Sequence, residues 1–155
     1  MPYSRLFYHF VWATHQRLPL ITPHLRDSLY AAIRAKVKAL GGITHALNGM
    51  PDHVHLVVTV PPNIALATFI GQVKGMSSHA VSGVSAQAFA WQHEYGVLSV
   101  SEAHLPTVVR YVMEQEQHHA ENHLDRRLEA GGTDETEPAG QIEPHAQQVT
   151  SGGKR

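Results

Sequence analysis

The stretch Ile43-Thr-His-Ala-Leu-Asn-Gly-Met-Pro-Asp-His-Val-His-Leu-Val-Val-Thr-Val60 decides the fold, because two strand-like runs in it flank a short turn signal. Ile43–Met50 and residues 53–60 are both rich in β-branched and other apolar side chains. Pro51-Asp52 between them is typical of a tight connection. The stretch therefore predicts an antiparallel β-hairpin.

The residues before this hairpin predict a strand and then a helix. Residues 6–14, which read LFYHFVWAT, are dense in aromatic and β-branched side chains and indicate a buried strand. Thr22 followed by Pro23 is typical of a helix cap with proline at the first helical position. Aliphatic side chains then recur at helical spacing up to Gly41-Gly42, namely Leu25, Leu29, Ile33, Val37 and Leu40.

The residues after the hairpin predict a helix, a short strand and a last helix. Pro61-Pro62 ends the second strand, and the next helix runs toward Ala80. Residues 97–100 predict a strand, and the last helix begins near Pro106 and extends toward His119. The order β-α-β-β-α-β-α indicates an α+β fold: a ferredoxin-like antiparallel sheet with helices packed on one face, plus a C-terminal helix that contains Tyr111.

The composition indicates one domain followed by a polar tail. The chain has 155 residues, a formal charge of −1 and no cysteine, which excludes disulfides and thiolate metal sites. Residues 1–120 hold 8 Lys and Arg against 6 Asp and Glu, whereas residues 121–155 hold 4 against 7. We therefore predict a domain over residues 1–129 and a disordered acidic tail over residues 130–155.

The lack of a long apolar run and of a signal peptide predicts a cytoplasmic protein without a membrane partner.

Two histidines of the hairpin form a candidate metal site. His53 and His55 alternate with Val54, so a strand projects both imidazoles from one face of the sheet. Two imidazoles in this arrangement can share one cation. The alternative is two polar residues on a solvated face, because 13 histidines in the chain make a chance H-x-H sequence easy to find. The spacing alone leaves both interpretations open.

The last helix contains two further candidates. Tyr111 and Gln115 are four residues apart, and therefore lie on one face of a continuous helix. The amide oxygen of Gln115 could add a ligand to a metal, and the phenol of Tyr111 would lie nearby. The alternative is an ordinary surface helix whose tyrosine packs by its ring edge. Spacing does not decide between these possibilities.

Five ordered blocks of sequence, which span about residues 5–120, resemble one protein family. They are Phe10-Val-Trp-Ala-Thr with Arg17-Leu-Pro-Leu, Met50-Pro-Asp-His-Val-His-Leu, Phe69-Ile-Gly-Gln-Val-Lys-Gly-Met-Ser-Ser78, Trp91-Gln-His-Glu-Tyr-Gly-Val-Leu-Ser-Val-Ser101 and Tyr111-Val-Met-Glu-Gln-Glu-Gln-His-His119. Together they resemble the single-tyrosine HUH transposases of the IS200/IS605 type, which include the REP-associated tyrosine transposases.

The resemblance implies an activity and a role for each candidate residue. His53 and His55 would be the HUH histidines, Gln115 the third metal ligand and Tyr111 the nucleophile. The family cleaves and rejoins single-stranded DNA, often near hairpins, through a 5′-phosphotyrosine, and it typically acts as a homodimer. Two imidazoles and an amide oxygen suit Mg²⁺ or Mn²⁺ better than a closed zinc site.

Several other residues are candidates for weaker roles in such a site. Asp52 could orient the imidazole of His53 or could merely shape the turn. The candidate phosphate contacts, each with the alternative of a solvated surface charge, are Lys74, Arg34, Lys36 and Lys38. We expect Trp12 and Trp91 to belong to the core, because large aromatic side chains at strand positions are usually buried.

Two other functions are compatible with the same residues. The segment after His119 is acidic where stand-alone family members have a basic, aromatic one, which favours a transposase relic that binds nucleic acid without cutting it. A metal-dependent phosphodiesterase could use His53 and His55 with Tyr111 incidental. A covalent adduct with DNA that requires Tyr111 would distinguish the nuclease from both.

Overall fold

The computed structural model describes residues 3–121 and 126–131 of the chain. Four strands and five helices follow one another in this part. They are β1 (Phe7–Ala13), α1 (Pro23–Ala39), β2 (Ile43–Met50), β3 (His53–Thr59), α2 (Leu66–Ser82), β4 (Gly96–Val100), α3 (Leu105–Met113), α4 (Gln115–Glu121) and α5 (Arg126–Glu129). The predicted order of elements is confirmed up to α3.

The strands form one antiparallel sheet in the order β2-β3-β1-β4. In this order β3 lies between β1 and β2, and β1 lies between β3 and β4. This arrangement confirms the expected ferredoxin-like sheet. At the hairpin β2 passes so close to β3 that a Cβ on Gly49 would lie 2.2 Å from the carbonyl oxygen of His53, so the position requires glycine.

The main core lies on one face of the sheet, beneath α1 and α2. Val54, Leu56 and Val58 alternate along β3 toward this face, as a strand with a period of two requires. Burying each of these side chains stabilises the fold by about 1.5–3 kcal/mol. Trp12 is fully buried, which confirms the expectation that it belongs to the core. Trp91 is half-buried and packs against the core, in a T-shaped contact with Trp12.

The opposite face of the sheet carries the candidate histidines and is covered by α3. Val108 and Val112 of α3 pack on Ala46 and Val57 in a second, smaller cluster. Val57 lies two and four residues after His55 and His53 along β3, and alternate residues of a strand share a face. Both imidazoles therefore project to the face that α3 covers. The tyrosine-bearing helix therefore packs against the histidine face, away from α1 and α2.

The prediction of one continuous last helix is wrong. The helix breaks at Glu114, where φ is −100° and ψ is 23°, so that Tyr111 lies on α3 and Gln115 begins α4. The side-chain amide of Asn48 donates a hydrogen bond of 3.1 Å to the carbonyl of Met113. This bond satisfies a carbonyl at the C-terminus of α3 from outside the helix.

The predicted tail lies almost entirely outside the described residues. Ala130 and Gly131 are its two described members, and Gly131 is buried against Val11 of β1. The boundary between residues 129 and 130 therefore stays a prediction. Within the described ranges, no helix is long and apolar enough to cross a membrane.

Candidate active site

The two histidines of β3 are buried side by side at the end of the hairpin. His53 is 4% exposed and His55 is fully buried, and their ring centroids lie 5.1 Å apart. Nδ1 of His53 makes a hydrogen bond of 2.7 Å with Oδ1 of Asp52, a contact that orients the imidazole. This bond directs Nε2 of His53 away from the turn.

A carboxylate that the sequence did not reveal faces both imidazoles. Oε2 of Glu129 lies 3.2 Å from Nε2 of His55 and 3.5 Å from Nε2 of His53. Glu129 reaches this position because the backbone after it crosses the start of β4, where a Cβ on Gly96 would lie 1.7 Å from the carbonyl oxygen of Ala130. Glycine at position 96 is therefore necessary for this approach.

Tyr111 belongs to the same cluster. Its phenol donates a hydrogen bond of 2.5 Å to Oε1 of Glu129, and its ring centroid lies 6.3 Å from that of His55. The ring also stacks on His118 at 4.5 Å with an interplanar angle of 21°. The tyrosine thus lies beside the histidines of its own chain, and one carboxylate connects the two.

The charges of this cluster stabilise one another. Burial lowers the pKa of His53, but its bonds to Asp52 and Glu129 outweigh burial and raise the pKa to about 9. Burial raises the pKa of Glu129, but bonds to His53 and His55 outweigh it and hold the pKa well below its ordinary value. Burial lowers the pKa of His55, which favours the neutral ring that a metal needs.

Gln115 is brought to the site but is engaged by its neighbours. Its side chain is fully buried; Oε1 lies 3.2 Å from Nε2 of His119, and Nε2 donates to the carbonyl of Tyr111 at 3.3 Å. The amide therefore connects the tyrosine helix to His119. The assignment of Gln115 as third metal ligand stays a prediction.

The donor atoms of His53, His55 and Glu129 fit a divalent metal ion. One atom from each residue lies within 4.8 Å of the other two. Nε2 of His53 is buried and meets Oε2 of Glu129 at 3.5 Å, a long contact that leaves its lone pair available to an ion once the ring is neutral. Two imidazoles and a carboxylate suit Mn²⁺ and related octahedral ions.

Comparison with known proteins identifies the family. The family model for IS200-like transposases matches residues 2–115. This chain belongs to the IS200-like transposase family. It is 27% identical over 118 residues to the ISDra2 transposase TnpA of Deinococcus radiodurans, an alignment that covers 72% of this chain and 84% of that protein.

Solved structures of transposases share this fold. A crystal structure described as a transposase from Deinococcus radiodurans R1 has a TM-score of 0.59 and 27% identity, and covers 74% of this chain and 95% of that one. A REP-associated tyrosine transposase bound to a REP hairpin has a TM-score of 0.58 and 18% identity, and covers 77% and 74% of the two chains. The expected fold and family are thus confirmed.

The candidate DNA contacts of this IS200-like chain differ in their surroundings. Arg34 and Lys38 are exposed on α1 and Lys36 is half-buried. Arg34 also lines a groove that extends to Met113 at the end of α3. Lys74, in contrast, is buried, and its ammonium group donates to the carbonyls of residues 92, 93 and 94 at 2.7, 2.8 and 3.1 Å. Backbone carbonyls thus engage its charge, although the side chain also lines a groove with Gly75 and Ser78, and its role as a phosphate contact stays a prediction.

We expect Lys74→Met to lower the free energy of unfolding by about 2–3 kcal/mol, because three carbonyls lose a charged donor while the aliphatic length is kept. Urea unfolding measures the change, with Lys38→Met on exposed α1 surface as the matched control. The control should change stability by less than about 0.5 kcal/mol. If Lys74→Met weakened DNA binding while stability stayed unchanged, the structural role would be refuted.

We expect the metal-free protein to lose stability as the pH rises from 6.5 to about 9. The pKa of His53 is raised by folding, so its imidazolium stabilises the fold fully below 6.5 and this contribution disappears as the pH passes about 9. Urea unfolding in chelator at the two pH values should differ by on the order of 2 kcal/mol. His53→Gln should remove most of this dependence, and an unchanged slope in that variant would refute the assignment.

Proposed function

We propose that this IS200-like transposase is a metal-dependent single-strand DNA endonuclease and strand transferase with Tyr111 as nucleophile. The observation that supports this most is the hydrogen bond of 2.5 Å between the phenol of Tyr111 and the carboxylate that also faces His53 and His55. Through this carboxylate, the proposed nucleophile and the proposed metal ligands lie next to one another within one chain. Such a combination suits phosphoryl transfer to a tyrosine.

His53, His55 and Glu129 would hold the ion, which we propose to be Mg²⁺ or Mn²⁺. When bound, such an ion stabilises the charge that develops on the phosphate oxygens. Gln115 lies close enough to the tyrosine and His119 to position both. We therefore propose Glu129 as a third protein ligand and retain Gln115 as a further candidate.

In the proposed reaction the protein cleaves one phosphodiester bond of the DNA and becomes covalently linked to the 5′-phosphate through Tyr111. The phenol, whose ordinary pKa is near 10, loses its proton toward Oε1 of Glu129 as Oη attacks phosphorus. The bond between phosphorus and the 3′ oxygen breaks, and the leaving oxygen takes a proton from solvent, which leaves a 5′-phosphotyrosine and a free 3′-hydroxyl. Rejoining reverses these steps with another 3′-hydroxyl, so no nucleotide cofactor is needed.

The substrate that we propose is single-stranded DNA with a hairpin, acted on in the cytoplasm. Support comes from the REP-associated relative, which shares the fold and is bound to a REP hairpin. Arg34, Lys36 and Lys38 on α1 supply positive charge for phosphate contacts. We also propose that the protein acts as a homodimer. Tyr111 lies beside the histidines of its own chain, so the proposed dimer does not require a tyrosine from the second subunit.

The polarity of a covalent adduct tests this function. Overlapping single strands from the DNA that flanks the gene, labelled at either end, are incubated with the protein and Mn²⁺ and separated under denaturing conditions. A 5′-phosphotyrosine retains the 3′ label on the protein and releases the 5′ label. Cleavage without protein-bound label would instead support a phosphodiesterase, and binding without cleavage would support a non-catalytic relic.

A further inference from the structure

A third histidine lies behind the candidate metal site. His9 of β1 is 1% exposed and projects to the same face of the sheet as His55, which pairs with Val11 two residues along β1. Nε2 of His9 lies 2.9 Å from Nδ1 of His55. The ring planes are inclined by only 18° and the centroids are 5.1 Å apart, so the two imidazoles meet edge to edge.

The position of the proton in this hydrogen bond depends on what faces the other side of His55. Both rings are buried and meet across this hydrogen bond, and a low-dielectric interior favours the neutral form of each imidazole. A neutral imidazole has one N–H, and a bond between two ring nitrogens needs one donor and one acceptor. Two arrangements are therefore available to the pair.

Without metal, the carboxylate of Glu129 determines the arrangement. Its Oε2 lies 3.2 Å from Nε2 of His55, and an oxygen anion at this distance requires a proton on that nitrogen. Nδ1 of His55 then accepts from Nε2–H of His9. Nδ1 of His9 is left as a bare acceptor, which agrees with its lack of a hydrogen-bond partner among the residues that the structure describes.

A metal ligand requires the opposite arrangement. To offer a lone pair from Nε2, His55 must keep its proton on Nδ1, and a ligating histidine nearly always donates this second N–H to a neighbour. Nε2 of His9 is the acceptor at this position. His9 then holds its own proton on Nδ1, so the pair has two protons before and after metal binding.

We propose that His9 is a positioning residue that holds His55 in its metal-binding tautomer, by reversing its hydrogen bond from donor to acceptor when the ion enters. The inference rests on the proposed metal site at His53, His55 and Glu129. It concerns a side chain that touches neither the ion nor DNA. An apolar side chain at position 9 would leave Nδ1–H of His55 buried and unpaired in the metal-bound state, whereas an amide could serve in both directions.

The test compares His9→Phe with His9→Gln in the full-length chain. Mn²⁺ binding is measured by titration calorimetry without DNA, and folding by circular dichroism and thermal unfolding. We expect His9→Phe to weaken Mn²⁺ binding by about 10–100-fold, and His9→Gln to stay within a few-fold of the wild type. Equal Mn²⁺ affinity in wild type and His9→Phe would overturn the role of His9 and leave the proposed site intact. Absence of Mn²⁺ binding in the wild type would overturn both.

A second measurement on the wild type does not depend on the folding of any variant. The ¹⁵N resonances of imidazoles distinguish Nδ1–H from Nε2–H, and Mg²⁺ serves as a diamagnetic ion. We expect Mg²⁺ to convert both His9 and His55 from Nε2–H to Nδ1–H. A His9 that keeps its tautomer while His55 changes would show that another group accepts the proton of His55, and would overturn the inference.

Discussion

Tyr111→Phe is expected to abolish the covalent protein–DNA adduct and to lower strand cleavage by at least about 10⁴-fold, the scale on which loss of a catalytic nucleophile acts. The substitution removes the oxygen that donates to Glu129 and keeps the ring that stacks on His118. Because the substitution removes the hydrogen bond to Glu129 and keeps the packed ring, stability should fall by no more than about 1–2 kcal/mol.

Gel separation of protein-bound 3′ label measures the adduct, and single-turnover cleavage in Mn²⁺ measures the rate. Tyr3→Phe is the matched control, since Tyr3 is 88% exposed and should retain the wild-type rate. If Tyr111→Phe cleaved at the wild-type rate without an adduct, water would be the nucleophile. An adduct that persisted in Tyr111→Phe would point to another residue.

His53→Ala should have the second large effect, on metal binding and on cleavage together. The substitution removes one of the two imidazoles that would bind the metal. It also leaves the carboxylates of Asp52 and Glu129 without the imidazolium of His53 that lies between them. We expect the Kd for Mn²⁺ to rise by about 100-fold, equivalent to about 2.7 kcal/mol. DNA binding should persist, because phosphate and stacking contacts elsewhere supply most of the affinity.

Titration calorimetry with Mn²⁺ and a filter-binding assay in chelator separate these two effects. His79→Ala, an exposed histidine on α2, is the matched control and should match the wild type in both assays. Full cleavage activity in His53→Ala would refute the metal assignment. Loss of DNA binding in chelator would indicate instead that His53 contacts the strand or that the variant has unfolded.

The arrangement of the two β3 histidines could be predicted from the sequence because it depends on local geometry. A strand alternates its faces with a period of two, so the side-by-side placement of His53 and His55 follows once the hairpin around Pro51-Asp52 is recognised. Thr22 caps α1 through its hydroxyl, which accepts from the amide of Leu25, as the Thr-Pro pair predicted. The order of strands and helices followed from the same signals.

Glu129 and His9 could not be found in this way, because their places depend on contacts between distant segments. His9 reaches His55 only through the register in which Val11 pairs with His55. Glu129 is 74 residues from His55, and its approach depends on the absence of a side chain at Gly96. No periodic pattern encodes either contact.

The break at Glu114 and the burial of Lys74 were also hidden from sequence reasoning. Helical spacing continues through residue 114, but the side chain of Asn48 on a neighbouring strand satisfies the carbonyl of Met113. Lys74 lies off the apolar stripe of α2, which ordinarily indicates solvent, yet the backbone of residues 92–94 folds over its ammonium group. In both cases a tertiary hydrogen bond outweighs the local pattern.

The most direct test of the central claim is mass spectrometry of peptides from wild-type protein that has reacted with flanking single strands in Mn²⁺ and then been digested with nuclease and protease. We predict that the peptide containing Tyr111 gains a nucleotide linked through its 5′-phosphate, and that the modified peptide is absent when chelator replaces Mn²⁺. Cleaved DNA with an unmodified Tyr111, or a nucleotide on any other side chain, would contradict the account.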